Sequence, residues 1–338
     1  MFTWLASLVL QSAPTFPPRY DALPVVSFSY SYENNEFYSG FMMEDGSVAG
    51  NMRVVMGVHG EGDDTPFVWK DGTKINLPLG GASSAQLRFD HKGKLIGDVR
   101  LDDGYHPAIW TAHSQLGWKQ ASISIIRNGT GYVSAVGKDG AIYVTRQENN
   151  GKREIWKYAN QTWTRQFAGL FNLAGVDDRG RLFGDVFRNL MEGYRPQNTR
   201  PAMIAVGKVI PFSREEKTFE YDQCNDVNGA GVAVGRSDGR ACVWTNGKIQ
   251  FLHKKTERAF SSACDINATG RVLFDFPKGN ETHVAIWQSG LTQDLTVFLP
   301  SNSLSARSIN NRGDILIAAN NGKMTTLYVL KAAPPRPK

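Results

Sequence analysis

Asp63, Asp64, Asp102 and His106 are the residues whose types could move protons, since paired carboxylates and an imidazole are the usual acids and bases of hydrolysis or elimination, with Asp103 next to them as a candidate binding residue. Around them stand groups better suited to recognition: His59, Arg100, Tyr105, Arg188, Tyr194 and Arg195. Tyr and Arg are favoured at recognition surfaces because they join apolar area to directional hydrogen bonds. The two sets meet in a short echo, Asp102-Asp-Gly-Tyr-His-Pro107 against Glu192-Gly-Tyr-Arg-Pro196. The sharper chemical signatures are missing from the chain. There is no HExxH zinc helix, no GxSxG elbow, no GxxxxGK[ST] phosphate loop and no DxDxDG calcium loop. The spacing therefore assigns no catalytic residue, no metal ligand and no cofactor. Arg312-Gly-Asp314 spells the integrin tripeptide, but inside a repeated turn.

What must position these residues is a tandem repeat. Asn or Asp, two residues, Gly and then a run of β-formers recurs as Asp90-His-Lys-Gly-Lys-Leu-Ile-Gly97 and Asp177-Asp-Arg-Gly-Arg-Leu-Phe-Gly184. It returns as Asn228-Gly-Ala-Gly-Val-Ala-Val-Gly235, Asn267-Ala-Thr-Gly-Arg-Val-Leu-Phe274 and Asn310-Asn-Arg-Gly-Asp-Ile-Leu-Ile317, with looser copies at 43–50 and 137–144. The turn glycines are Gly46, Gly93, Gly140, Gly180, Gly231, Gly270 and Gly313, separated by 47, 47, 40, 51, 39 and 43 residues. That period suits a four-stranded sheet repeated around an axis. Asn or Asp opens the turn by bonding the backbone two residues on, and the Gly supplies the positive φ of a type I turn with a G1 bulge. A second strand, usually ending in Trp, follows each hairpin: Trp69, Trp110, Trp156, Trp244 and Trp287. Recurring in the strand rather than in variable loops, this Trp reads as packing between neighbouring sheets.

These residues imply an all-β chain, a seven-bladed β-propeller of four-stranded antiparallel blades over residues 24–331, with six or eight blades as alternatives. The seventh copy ends at Leu330 without a fourth strand, while Val25–Tyr32 alternates apolar and polar residues ahead of the first repeat. The expectation is that this N-terminal strand completes the last blade and hides two open edges. The frame Asp226-Val-Asn-Gly-Ala-Gly-Val-Ala-Val-Gly…Ala241-Cys-Val-Trp-Thr-Asn-Gly…Leu252 resembles the HAF family of extracellular repeats of bacterial secreted proteins. The likeness extends over most of residues 37–330. It implies a secreted, propeller-like protein and carries over no catalytic residue.

Bulk properties narrow the partners. The net charge of +6 is spread through the chain without a basic, aromatic-rich stripe, so nucleic acid is not an expected partner. No run reaches the length of a membrane span. The apolar segment Phe2–Leu10 suits a signal-peptide core within residues 1–15; with no preceding Lys or Arg, and Pro14 behind a cut at Ala13, a hydrophobic N-terminal extension is the alternative. The Pro-rich tail 332–338 is expected to be disordered. Cys224, Cys242 and Cys264 form no disulfide framework, although Cys224 and Cys264 occupy similar places in adjacent repeats and a bridge between them stays open.

Loop lengths are unequal between hairpin and Trp strand. Repeat one inserts 51–66 and repeat four 187–201, and these with 102–107 are expected on one rim. That rim is the candidate binding face, since loops on a fixed framework are where binding concentrates. The chain is accordingly read as an exported, monomeric, non-enzymatic binding module in the extracellular or periplasmic space, meeting a protein or glycan. The alternative is a propeller-scaffold hydrolase or lyase, for instance on glycans, with acid and base groups at the channel mouth.

Overall fold

The turns carry out what their residues prescribe. A computed structural model describes residues 20–29, 35–55, 63–147, 153–187, 199–212, 222–253, 260–299, 303–321 and 324–332. All seven turn glycines have φ between 73° and 87°. In six of them the Gly N–H donates to the carbonyl three residues back, as Gly270 does to Asn267 at 3.0 Å, and the opening residue closes the bulge, as Asn267 N–H does on Arg271 O at 3.0 Å. The exception is repeat two. There His91 pairs directly with Lys94, and Lys92 (φ 51°) and Gly93 (φ 73°) form the mirror-image two-residue turn in place of the expected G1 bulge.

The strands follow in chain order. Strand β1 (Tyr20–Ser29) precedes the first repeat, which supplies β2 (Asn35–Met42), β3 (Val48–Val55), β4 (Asp64–Lys70) and β5 (Thr73–Asn76). Repeat two gives β6 (Ser84–His91), β7 (Lys94–Leu101), β8 (Gly104–His113) and β9 (Gly117–Ile125). Repeat three gives β10 (Tyr132–Val136), β11 (Ile142–Gln147), β12 (Arg153–Ala159) and β13 (Thr162–Gly169). Repeat four gives β14 (Phe171–Val176), β15 (Leu182–Phe187), β16 (Thr199–Ala205) and β17 (Lys208–Pro211). Repeat five gives β18 (Gln223–Val227), β19 (Ala233–Ser237), β20 (Arg240–Thr245) and β21 (Lys248–Phe251). Repeat six gives β22 (Ser262–Ile266), β23 (Val272–Lys278), β24 (Glu281–Gln288) and β25 (Leu291–Asp294), and repeat seven β26 (Ser303–Ile309), β27 (Ile315–Asn320) and β28 (Met324–Ala332).

Each of the first five repeats forms a four-stranded antiparallel sheet, and the last two share an eight-stranded one. The shared sheet is joined only through a single parallel bridge, Thr282 to Ser303. Strand β1 pairs antiparallel with β28 from Tyr20–Ala332 to Ser29–Met324, so it starts earlier than Val25 and draws in the first residue of the expected tail. The segment 1–15 and the tail beyond Ala332 lie outside the described residues. The first strand of each repeat meets the first strand of the next, and β2 meets β26.

Two kinds of bond hold successive sheets together. In repeats two to seven the first strand carries a β-bulge, between Leu87 and Phe89 in β6 and between Ala306 and Ser308 in β26, for example. A bulge removes one residue from the ladder and leaves nearby N–H groups to be satisfied elsewhere. The N–H just before the bulge is taken by a side chain of the preceding repeat: Leu87 by Asn51 (2.7 Å), Val133 by Asp98 (2.6 Å), Cys224 by Asp185 (2.8 Å) and Ala306 by Asp275 (2.6 Å). All four acceptors stand at one place in the motif, directly after its last residue. The second bond explains Asn rather than Asp in the best copies. Asn267 Oδ1 caps its own turn, and its Nδ2 donates to Asn310 O at 3.1 Å; Asn228 does likewise to Asn267 O at 3.3 Å and Asn310 to Met43 O at 2.9 Å.

Apolar residues fill the space between sheets. Met42, Val48, Phe67 and Trp69 of repeat one pack with Leu316, Ala318, Leu327 and Val329 of repeat seven. Trp110 is fully buried and donates to Pro78 O at 2.8 Å across repeats one and two, and Trp244 is buried between repeats four and five. These Trp residues are inter-sheet packing, as their recurrence suggests. All three cysteines are free, so the Cys224–Cys264 bridge is not formed. Burial pushes each thiol well above its ordinary value. Asp314 of the Arg-Gly-Asp sequence is buried and bonded by Arg312 (2.7 Å) and Asn310 (3.1 Å), which removes it from any adhesive role.

Candidate functional site

Between the first strands of repeats one to four lies a cavity of about 660 Å³, within the range usual for small-molecule sites. Its wall is drawn from the first strands β2, β6, β10 and β14 and from residues of β3, β4, β11 and β12. Asp64, first residue of β4, is the one predicted site residue in its wall.

One wall is a chain of charged and amide groups running from repeat one into repeat two. Arg53 donates twice to Asp64, Nε to Oδ1 at 3.0 Å and a terminal nitrogen to Oδ2 at 2.8 Å. Gln86 Nε2 donates to Asp64 Oδ2 at 2.5 Å, and its Oε1 accepts from Arg88 at 3.1 Å. Arg88 in turn binds Asp98 through Nε. Its bonding to Asp64 holds Arg53 above its ordinary pKa, whereas burial pushes Asp98 up against the pull of Arg88. The facing wall belongs to repeats three and four. Ser134 and Thr145 share a hydroxyl bond of 2.8 Å, and Arg153 donates to Asn172 Oδ1 at 3.0 Å. Tyr132 stands between the walls, 41% exposed, with Tyr105 behind it at 4.5 Å between ring centroids and Arg88 6.0 Å from its ring. Burial and the neighbouring Tyr105 raise its hydroxyl pKa.

The other predicted residues are placed differently. Asp63 is exposed, immediately before β4. The stretch 102–107 is no loop insertion: Asp102 and Asp103 make a tight exposed turn, while Arg100 lies in β7 and Tyr105 and His106 in β8, with Arg100 opposite Tyr105. His106 is buried beside Asp103, Nε2 to Oδ1 2.7 Å, with no hydrogen-bond partner on Nδ1. That bond holds Asp103 below the usual carboxylate range. The cavity gains Tyr105 only as the support of Tyr132 and does not include His106. His59, Arg188, Tyr194 and Arg195 lie outside the described residues. Among the described residues no group of three His, Cys, Asp or Glu side chains is arranged to hold a metal ion, and no helix is long and apolar enough to cross a membrane.

Gln86, Arg88, Tyr132, Ser134, Arg153 and Asn172 were not expected from the sequence. A signal for two of them exists in the repeat. The bulge residue stands six positions before the turn glycine, or five in the shorter turn of repeat two, which selects Ser134 and Arg88. Gln86, Tyr132 and Asn172 stand two residues before the bulge on the same strands, whereas Arg153 comes from β12, two strands away from β10, and carries no such signal.

No family model and no curated protein sequence matches the chain. Solved structures do resemble it. An acylaminoacyl peptidase of Pyrococcus horikoshii shares 11% identity at a TM-score of 0.59, covering 89% of this chain and 52% of the peptidase, so the chain spans about half of that protein. The β-propeller domain of the trilobed protease of Pyrococcus furiosus, described as having an open velcro topology, shares 12% identity at a TM-score of 0.58 over 89% of this chain and 99% of that domain. At such identities the likeness establishes the fold, a β-propeller of four-stranded antiparallel sheets, and leaves function to the site.

Proposed function

We propose that the chain is a seven-bladed β-propeller, clasped by its N-terminal strand, that binds a ligand in the cavity between repeats one and four without transforming it. The seven-fold reading is supported by seven turns of like geometry and by the single bridge that divides the eight-stranded sheet. Closure is supported by the contact of β2 with β26, the bond from Asn310 to Met43 O and the pairing of β1 with β28. Export to the extracellular or periplasmic space rests on the Phe2–Leu10 run and on the HAF likeness, both readings of sequence.

The observation that carries the binding reading is the state of the cavity's carboxylate. A hydrolase or lyase of this architecture would present a free acid and base at the channel mouth. Asp64 is instead held by Arg53 and Gln86 on both oxygens, and no other Asp or Glu and no His among the described residues lines the cavity. The groups offered to solvent are a tyrosine ring, guanidinium, amides and hydroxyls, which orient a ligand.

The test is a thermal-shift panel of sugars, peptides and nucleotides on the full chain and on Ser134→Trp, which fills the cavity from the bulge of β10. Stabilisation of the parent protein that is lost in Ser134→Trp, without turnover of the ligand, is the expected result. Equal stabilisation of both proteins, or conversion of the bound compound, overturns the reading.

A further inference from the structure

We infer that the ligand of this cavity is an uncharged saccharide, stacked on Tyr132 and hydrogen-bonded along the Asp64–Gln86–Arg88 wall; this rests on the binding reading above. A sugar hydroxyl both donates and accepts, and vicinal hydroxyls present these functions at regular spacing. The wall offers the complementary series. A carboxylate has about four acceptor positions and Asp64 uses three, so one remains. Gln86 has one amide hydrogen on Asp64 and keeps the other. Arg88 spends Nε on Asp98 and one terminal nitrogen on Gln86 and retains further N–H groups. Acceptor, donor and donor therefore follow one another along one edge.

These groups are already fixed. Each is bonded to a neighbour that is itself bonded, so ligand binding orders little that is mobile, which is where polar sites gain affinity. Tyr132 adds the apolar element a pyranose needs. Its ring is 41% exposed, with Tyr105 at 4.5 Å and the Arg88 guanidinium at 6.0 Å from its centroid, and the exposed part offers apolar surface to the C–H side of a sugar.

Charge separates this ligand from a phosphate or a sugar acid. Arg53 faces Asp64 and Arg88 faces Asp98, so the cations of this wall are neutralised in place, while Arg153 opposite them is bonded to Asn172 and lies over the Phe187 ring. A protein partner is disfavoured by shape and lining: hot spots at protein interfaces seat an aromatic or aliphatic anchor in a desolvated apolar pocket. Here the recess presents hydrogen-bonding groups from all four repeats.

The experiment is a glycan microarray probed with the full chain, followed by calorimetry of the strongest uncharged oligosaccharide. Tyr132→Ala should weaken it about tenfold or more and Tyr132→Phe by less than about threefold, the scale of an aromatic contact at a binding centre. Affinity should not change between 0.1 and 0.5 M salt, since no net charge is exchanged. Melting curves establish that both variants are folded, and Gln86→Ala provides a second lesion away from the ring. Glycan binding that is indifferent to Tyr132→Ala and Gln86→Ala overturns the inference, as does binding confined to anionic glycans and abolished by salt. If no glycan binds while a peptide or nucleotide binds the parent and not Ser134→Trp, the saccharide inference falls and the binding reading stands. If no compound of any panel binds, both fall.

Discussion

Asp185 should oppose folding at neutral pH, and replacing it by Asn should stabilise the protein. The residue lies in β15, fully buried, where Oδ1 accepts the Cys224 N–H at 2.8 Å and Oδ2 has no hydrogen-bond partner. Burial, assisted by the charge of Asp222, pushes its pKa up to about 7 from an ordinary 3.8. A raised folded-state pKa means that the native protein holds this proton where the unfolded chain has lost it. Stability from this group is therefore fully present below about pH 4 and is lost as pH rises through 7. Each tenfold in acidity constant is about 1.4 kcal/mol, so ionising Asp185 in place costs on the order of 4 kcal/mol by pH 8, an upper bound before the surroundings relax. Asn keeps the acceptor for Cys224 and has nothing to ionise. Its extra N–H stands where the protonated acid would place an O–H, so the two are nearly equivalent at low pH.

Urea unfolding followed by tryptophan fluorescence at pH 5, 6.5 and 8 measures the effect. Asp185→Asn should exceed the parent least at pH 5, where over half of the Asp185 contribution survives, and by about 1–3 kcal/mol at pH 8, with an intermediate gain at pH 6.5. Asp222 and Asp275, raised by burial to about 6, keep part of the same slope in the variant. A variant that is destabilised equally at pH 5 and pH 8 refutes the reasoning, because Asp185 would then be a net stabilising anion bonded to Cys224.

Other consequences concern the bonds between repeats. Asn310→Ala removes the cap of its own turn and the bond to Met43 O, and should cost about 2–3 kcal/mol in urea unfolding; Asn310→Asp keeps the cap alone and should fall between. Deleting residues 1–32 removes β1 and bares the edge of β28, so the melting temperature should fall by about 10 °C or more with aggregation on heating; unchanged melting would sink the clasp. Trp110→Ala should cost about 3–5 kcal/mol by chemical unfolding, from the emptied volume and the lost partner of Pro78 O. A change below about 1 kcal/mol would mean that the indole is not part of the packing.

The architecture was legible because its signals are local. A turn spelled Asn-x-x-Gly forces a hairpin wherever it stands, and seven at a period of 39–51 residues leave few arrangements other than a ring of sheets. The Trp strands and the incomplete last repeat are signals of the same kind. The site was less legible, because it depends on which residues the bulges present to the cavity. Asn51 was read as loop from the length of 51–66, yet it lies in β3 and its amide holds Leu87. The echo of 192–196 in 102–107 places Tyr105 and His106 on the rim, but both lie in β8, where one backs another ring and the other is buried against Asp103. Gln86 and Arg88 sit in an ordinary-looking strand, and only the bulge in β6 distinguishes it.

Among the described residues the bonds between repeats differ in kind from one part of the chain to another. Asn228, Asn267 and Asn310 link the turns of repeats five, six, seven and one, and in the first strands Asp226, Asp265 and Ser308 bind the backbone of Ile266, Ile309 and Met42 across the same junctions. The matching places in repeats two, three and four hold Phe89 and Asp90, Ala135 and Gly137, and Gly175 and Asp177, and the Asp90 carboxylate accepts the Glu44 N–H of repeat one at 3.0 Å. Phenylalanine, alanine and glycine offer no side-chain acceptor to the next strand, and the Asp177 carboxylate is spent on its own turn and on Arg181. Repeats five, six, seven and one are thus joined first strand to first strand by these bonds, whereas repeats one to four are joined through Asn51 to Leu87, Asp98 to Val133 and Arg153 to Asn172 and line the recess. A ligand spanning that recess would add bonds between β6, β10 and β14, so binding should protect their amides from hydrogen exchange more than those of β18, β22 and β26. Equal protection of the two sets would mean that the ligand does not bridge the strands lining the recess.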